Sequence, residues 1–386
     1  MGKLVSSQPT IDAVMDTVQK TATEEVRGYV GCSGLGAECH RQLTYQFWWS
    51  ASAIFPAQTL MNFEDGHRTE ALTNSRFKAT PGVDLREVGP DGRQWGVTAL
   101  SGHLRGHLDG LIRGVLEAPK TWHVYEVKAT NDAKFRKLDR LKVKHGEKDA
   151  LEVWDWIYFL QAQLYMGLTK TKRHFLVCST PGGRAMTSVR TEFQKEVFDQ
   201  ALAKAAEIIQ ADELPPRLAE DPEFWLCRWC QFSDLCHDRK TARMNCRTCA
   251  HSTAVMKPET ADTKDFGEWR CEFHDKRLGF KAQRKGCPKH LFRPDLIPWA
   301  TVMEMDRDEN RITYQTDDET KFTNCELNNW SEKEFTSRDL QHVDEHTLVT
   351  DDYLVALSRF CPSAAIESRT PPTTDGVPFN DELPPF

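Results

Sequence analysis

Asp109, Glu126 and Lys128 are the residues of this chain whose types and spacing best support joint chemistry. Asp109 lies in Gly106-His107-Leu108-Asp109-Gly110, and the other two lie in Tyr125-Glu126-Val127-Lys128. Alternate side chains of a strand share a face, so Glu126 and Lys128 project together while Val127 turns into the core. Asp109 ends the preceding strand, and a hairpin brings it beside Glu126. Two carboxylates at close range raise each other's pKa, and a bound divalent cation removes that conflict. Oxygen ligands of this kind suit Mg²⁺ or Mn²⁺. Such a cation activates water and stabilises charge developing on a phosphate. Lys128 is then placed to orient or deprotonate the water, or to offset phosphate charge. An isolated Glu-x-Lys is more often a plain surface ion pair, so the surrounding residues decide between the two readings.

Those surroundings include a downstream helix carrying Gln161-Ala162-Gln163-Leu164-Tyr165. In this order the residues resemble the PD-(D/E)xK superfamily, specifically its RecB-like nuclease branch, over about residues 30–237. The resemblance implies a restriction-endonuclease-like α/β core, a mixed sheet flanked by helices. It also implies an Mg²⁺- or Mn²⁺-dependent deoxyribonuclease, with Asp109, Glu126 and Lys128 as the catalytic set. By the same resemblance Gln161 and Tyr165 contact the DNA strand or support Lys128; otherwise they pack their helix on the sheet. The family also takes a ligand from an early helix, and Phe63-Glu64-Asp65-Gly66-His67-Arg68-Thr69-Glu70 offers two. His67 and Glu70 are three apart and share a helix face; both stay open, with Glu70 preferred. His103 and His107 lie shortly before Asp109 in sequence and are read first as structural.

Cys227-Arg-Trp-Cys230-Gln-Phe-Ser-Asp-Leu-Cys236 places three thiols within ten residues. Three thiolates so spaced can wrap one metal centre but need a fourth. Spacing alone makes zinc the ordinary occupant. The arrangement resembles the iron–sulfur staple of AddB-type and CRISPR-associated RecB-like exonucleases, in which one Cys before the nuclease core joins three after it. That resemblance implies a 4Fe-4S cluster held by Cys39, Cys227, Cys230 and Cys236. Cys32 is the rival of Cys39, which is preferred because Arg41 and Tyr45 follow it. Cys246-Arg-Thr-Cys249, Cys271, His274, Cys287 and His290 form a second set. Short knuckles far apart in sequence are the grammar of a zinc ribbon. Cys246, Cys249, Cys271 and Cys287 are the expected Zn²⁺ ligands, and His274 or His290 could replace one.

These sites must be carried by 386 residues, enough for two or three domains. The expected division is a nuclease domain over 1–240, a zinc module over 241–298, a small α/β region over 299–362 and a disordered acidic tail over 363–386. Apolar periodicity predicts helices over 11–28, 61–73, 152–168 and 194–210. Strands are expected near 94–100, 103–116, 121–128, 173–179 and 186–193, with a basic polar loop over 131–149. A net charge of −7 is unusual for a DNA-binding protein. It averages a basic stretch at 120–148 with a strongly acidic one at 301–386. With 12 cysteines and no export signal, a reducing cytoplasm is the expected compartment, the host's if the chain is phage-encoded, as its layout resembles. No apolar run is long enough to span a membrane.

The last residues, Phe379-Asn380-Asp381-Glu382-Leu383-Pro384-Pro385-Phe386, resemble the tip of bacterial single-stranded-DNA-binding proteins. That likeness implies docking to single-strand-binding or annealing partners, or covering of the chain's own DNA groove; a solvated terminus is the alternative. The leading expectation is a DNA nuclease, most simply an exonuclease, in recombination, repair or end-processing. A catalytically weak nucleic-acid-binding scaffold is the alternative. A third, an electron-transfer protein, lacks any flavin- or nicotinamide-binding Gly motif. No Gly-x-x-x-x-Gly-Lys-Ser/Thr loop is present, so ATP-driven unwinding would need another chain.

Overall fold

The computed structural model of the chain describes residues 8–23, 26–52, 55–257, 267–343 and 348. The acidic tail and its Phe386 tip lie outside them. The described residues form a mixed α/β structure with four sheets. A small sheet joins β1 (Val30–Gly31), β4 (Leu104–His107) and β3 (Gly96–Ala99). The main sheet runs in the order β2 (Asp84–Arg86), β5 (Gly110–Arg113), β6 (His123–Ala129), β7 (Arg173–Ser179) and β8 (Met186–Glu192). Only β6 and β7 pair in parallel; the other neighbours are antiparallel.

Strand β6 is central, and its first five residues are buried. Tyr125 and Val127 face an apolar cluster with Ile112, Phe175 and Val177, against which Phe77 packs. Phe77 belongs to the long helix α3 (Ala57–Ala79), which extends the helix expected over 61–73 in both directions. Val124 faces the larger core on the other side. Helix α1 (Pro9–Thr21) stops at Ala22, which is extended, rather than continuing to residue 28. Helices α2 (His40–Phe47) and α7 (Lys195–Gln210) flank the core.

Two expectations about the segment after β6 are corrected. Residues 131–149 are not a loop: Asp132–His145 form helix α4. The Asn131 side chain caps it by accepting the N–H of Lys134 at 2.9 Å, and Leu138 is its buried anchor with Phe135 and Leu141 beside it. That apolar row, at spacing i, i+3, i+6, is narrow and is masked in sequence by the surrounding cations. The helix expected over 152–168 is two, α5 (Ala150–Trp154) and α6 (Trp156–Thr169). They break at Asp155, whose extended backbone lets its carboxylate cap α6 through the N–H of Tyr158 at 3.1 Å.

Past residue 240 the chain forms a three-stranded antiparallel sheet, β9 (Ser252–Ala254), β10 (Trp269–Cys271) and β11 (Lys276–Leu278). A second sheet follows, β12 (Ala300–Asp306), β13 (Arg311–Thr316), β14 (Lys321–Asn324) and β15 (Glu334–Phe335). Trp299, Phe322 and Tyr314 stack at its centre, with ring centroids 4.7 and 5.2 Å apart. The small α/β region expected at 299–362 is thus, among its described residues, a β-sheet with short 3₁₀ turns.

One apolar cluster runs without a break from Leu43 and Tyr45 through Trp269 and Phe292 to Phe322 and Leu340. Arg247 is buried beside it. Only 1% exposed, it donates to the carbonyls of Phe47 and Gly28, at 2.9 Å each, and to Gln283. Its guanidinium lies 3.8 Å from the Trp49 ring centroid. Burial pushes its pKa well down, and these bonds and ring faces offset the missing water. The segment after residue 240 is therefore pinned directly onto α2 and the residues before it.

Candidate active site

Glu126 and Lys128 share the face of β6 that meets α6. Lys128 Nζ donates to Glu126 Oε1 at 2.7 Å and lies 5.2 Å from the ring centroid of Tyr158. The β5–β6 register pairs Gly110 with Tyr125, so Asp109 arrives beside Glu126. Its Oδ2 accepts the backbone N–H of Val127 at 2.8 Å, which ties the loop carboxylate to the strand. Glu70 reaches the same place from α3. The two helix candidates separate here: Glu70 is half-buried and felt by Asp109, Lys128 and Glu126, whereas His67 is exposed and stands only within electrostatic reach of Asp109.

The electrostatics are those of carboxylates crowded out of water. Burial, and then the Asp109 charge, raise Glu70 to about 7 against the pull of Lys128. Burial and Asp109 raise Glu126 to about 8, again against Lys128. Asp109 is also raised, by burial. Burial opposes the charge on Lys128, but Glu126 and Asp109 outweigh it and hold its pKa above the ordinary value. Lys128 keeps 19% of its side chain exposed, so the site opens to solvent at the lysine end.

Gln161 and Tyr165 sit one turn apart on α6 and face inward; they are 3% and 2% exposed. Gln161 Nε2 donates to Glu126 Oε1 at 2.8 Å, and Tyr165 Oη donates to the carbonyl of His107 at 2.8 Å. One bond holds Glu126, the other the strand that leads to Asp109. The fit at Tyr165 requires Gly106, where an added Cβ would lie 2.4 Å from Tyr165 Cε1 and 3.0 Å from Cys32 Cβ. Gly106→Ala is expected to cost about 1–3 kcal/mol by forcing Tyr165 aside, read as a lower urea midpoint. An unchanged midpoint would show that the contact is slack.

The remaining residues near the motif fall elsewhere. The His107 side chain is exposed. His103 is fully buried between Phe47 and Trp269, bonded to Val255, and burial drops its pKa to about 4. Of the aromatic side chains that could stack on bases, Trp154 is buried and donates to the carbonyl of Lys134. Trp156 is exposed and Tyr158 partly buried. The sequence reading missed Lys134. Its ammonium lies 4.7 Å from the Tyr158 ring centroid, bonded to Asp155, so Tyr158 is shared between it and Lys128. The signal was Asn131 followed by the Phe135, Leu138, Leu141 row.

Cys39, Cys227, Cys230 and Cys236 line one pocket together with Arg41 and Tyr45. Cys32 is absent from it, being fully buried against Gly106 near Tyr165. The N–H of Phe232 points at the Cys230 sulfur, and Cys39, Cys236 and Cys227 are all close enough to raise the Cys230 pKa, after burial. In the second set Cys287 and Cys271 raise Cys246, burial first, to about 11. Cys249 is held up to about 12 by burial while the N–H groups of His251 and Leu291 point at its sulfur. His274 Nε2 lies 3.6 Å from the Cys287 sulfur. His290 turns away, its Nε2 bonded to the Asn245 carbonyl at 2.9 Å. Among the described residues no three His, Cys, Asp or Glu side chains are drawn in closely enough to hold a metal ion as they stand.

The donor chemistry nonetheless fits a cation at the carboxylates. Glu126 Oε2 is buried and has no hydrogen-bond partner among the described residues, an arrangement that costs free energy unless a cation or proton satisfies it. The cysteine pocket likewise offers soft sulfur donors with N–H groups aimed at them, which suits a thiolate-bound centre.

No family model matches the chain, and no curated protein matches it significantly. Among solved structures it has a partial likeness to an alkaline exonuclease from Laribacter hongkongensis. That match has 15% identity and a TM-score of 0.33 and covers 50% of this chain and 90% of the other. The same exonuclease in complex with dAMP matches with 15% identity and a TM-score of 0.34, over 51% and 90% of the two chains. A phage-related exonuclease from Haemophilus somnus 129PT matches with 13% identity and a TM-score of 0.31, over 47% and 91%. Likenesses this distant leave the functional reading to rest on the chemistry of the site. No helix among the described residues is long and apolar enough to cross a membrane.

Proposed function

We propose that this chain is an Mg²⁺- or Mn²⁺-dependent DNA nuclease, an exonuclease working on DNA ends in recombination, repair or end-processing. The observation that carries this is the gathering of half-buried Glu70 and Asp109 around buried Glu126 beside Lys128, with Glu126 Oε2 left unpartnered among the described residues. Glu70, Asp109 and Glu126 would hold the cation, which supplies Lewis acidity at phosphate and lowers the pKa of water. Lys128, at the open end, positions water and offsets charge on the scissile phosphate. Gln161 and Tyr165 keep Glu126 and the Asp109 strand from relaxing apart.

The test uses end-labelled linear and covalently closed circular DNA, single- and double-stranded, with Mg²⁺ or Mn²⁺. Loss of label from linear DNA with the circle intact is expected. Nicking of the circle would replace the exonuclease reading with an endonuclease one, and no cleavage of either would end the nuclease reading.

The cysteines supply two further centres in this reading. Cys39, Cys227, Cys230 and Cys236 take a 4Fe-4S cluster that closes the long loop around the nuclease core. Cys246, Cys249, Cys271 and Cys287 take Zn²⁺, with His274 the neighbour able to substitute. Protein purified without oxygen is expected to be brown and to contain iron and zinc. Cys227→Ser should remove the visible absorption and iron but keep zinc, and Cys271→Ser should do the reverse. Zinc in place of iron at the first set, or both metals lost together in either variant, would contradict the assignment.

A further inference from the structure

Helix α4 carries six Lys and Arg against two Asp, a local net charge of +4 in a chain of net charge −7. Its two faces use these charges differently. On the inner side, Lys134 is bonded to Asp155 at 2.6 Å and laid against the rings of Trp154 and Tyr158. Lys142 donates to Thr187 of β8 at 3.1 Å, and Thr187 in turn donates to Asp139 at 2.7 Å. On the outer side, Arg136, Lys137, Arg140 and Lys144 are exposed, and none forms an ion pair with a described residue.

Arg136, Arg140 and Lys144 recur every four residues and stand in one row. Like charges at that spacing each cost an exposed helix about 0.2–0.5 kcal/mol. A solvated surface helix relieves that cost with interleaved acids; here Asp132 stands one turn before Arg136 without an ion pair to it, Asp139 is taken by Thr187, and no other acid lies between the cations of the row. A polyanion laid along it would relieve it instead. The row spans about 12 Å of helix axis at 1.5 Å per residue, enough to follow about three phosphates of one strand at 3.4 Å each.

The helix that carries the row starts beside the candidate active site. Strand β6 ends at Ala129, and α4 begins three residues later. Lys128 and Lys134 lie 5.2 and 4.7 Å from the centroid of the same Tyr158 ring. A phosphodiester at Lys128 therefore has Lys134, in the first turn of α4, as a basic neighbour, and the cationic row continues along the same helix.

We propose that Arg136, Arg140 and Lys144, with Lys137 beside them, form a sequence-independent track that holds the DNA backbone leading into the Glu126–Lys128 site. Naming DNA as the ligand rests on the nuclease reading; the cationic track rests on the helix itself. Backbone contacts of this kind position a strand without reading its sequence, and binding through them falls steeply with salt.

The test is binding of a fluorescent DNA duplex without divalent metal, followed by anisotropy over a range of salt concentrations. The wild type is compared with Arg136→Gln/Arg140→Gln/Lys144→Gln, in which glutamine preserves helix propensity. Removing three phosphate contacts should lower the slope of log affinity against log salt by about 2–3, and lower affinity roughly 10-fold or more near 0.1 M salt. The melting temperature should stay near that of the wild type. Arg136→Lys/Arg140→Lys should keep the wild-type slope, because charge and not guanidinium geometry is at work. An unchanged slope in the glutamine variant, a slope lost equally in the lysine variant, or no DNA binding by the wild type would overturn the proposal. Binding is read without cleavage, so an inactive protein whose binding still follows the row would sink the nuclease reading and leave the track. An active protein indifferent to the row would do the opposite.

Discussion

Glu126→Ala is expected to reduce DNA cleavage by a factor on the order of 10³ while leaving the protein folded. Glu126 is the hub of the site: Lys128 and Gln161 both donate to its Oε1, and Oε2 is left free for a cation. Removing the carboxylate takes away a metal ligand and leaves the Lys128 ammonium without its nearest counter-charge. Glu126→Gln separates those effects, since it keeps the shape and the neutral contacts but cannot ligate as an anion. It should be as inactive as the alanine variant. Asp109→Asn should fall in the same range, because Asp109 sits across from Glu126 and is held by Val127. The assay is single-turnover digestion of linear DNA in Mn²⁺. Full activity in Glu126→Gln would place the chemistry elsewhere.

The second large effect is a dependence of stability on pH that reverses with metal. Glu126 stands at about 8 in the folded chain against an ordinary 4.5, and Glu70 at about 7. Facing Glu126 are Asp109 and Glu70, which raise it, and Lys128, which lowers it. The folded state thus holds these protons more tightly than the unfolded state. Below about pH 4.5 both states are protonated and nothing is lost. As pH rises toward 8 the unfolded carboxylates ionise first, so the metal-free fold loses stability, and the loss is complete above about pH 8. For Glu126 that amounts to at most on the order of 5 kcal/mol. A divalent cation binds the ionised carboxylates, so it should restore stability, more at alkaline than at mildly acid pH.

Urea midpoints at about pH 6 and pH 8.5, with EDTA or Mn²⁺, read this directly. Metal-free Glu126→Gln should be more stable than the wild type at the higher pH, because it carries no buried charge there. Stability of the metal-free wild type that rises across this range would contradict the electrostatic picture. So would an Mn²⁺ gain of equal size in Glu126→Gln.

Features that repeat over short distances are legible from residue order alone. The two-residue alternation of a strand puts Glu126 and Lys128 on one face, and a short hairpin is enough to bring in Asp109. Knuckle spacings group Cys227 with Cys230 and Cys246 with Cys249. Tertiary structure alone decided the choices between residues that local pattern leaves equal. His67 and Glu70 share a helix face, and only the packing of α3 against β6 buries the glutamate and leaves the histidine in water. Cys32 and Cys39 are both upstream thiols, and only the fold puts Cys39 in the cysteine pocket and Cys32 behind Tyr165. Gln161 and Tyr165 were legible as a pair, but whether they face DNA or the core depends on how deeply α6 is buried. Helix α4 went unread because its narrow apolar row carries less signal than its charges. Arg247 stands between two knuckle cysteines in sequence, and only the fold joins it to Phe47 and Gly28, some two hundred residues away. Periodicity is a property of neighbours along the chain, whereas burial is a property of neighbours in space, and it is burial that tunes the pKa values and leaves one oxygen of Glu126 without a hydrogen-bond partner among the described residues.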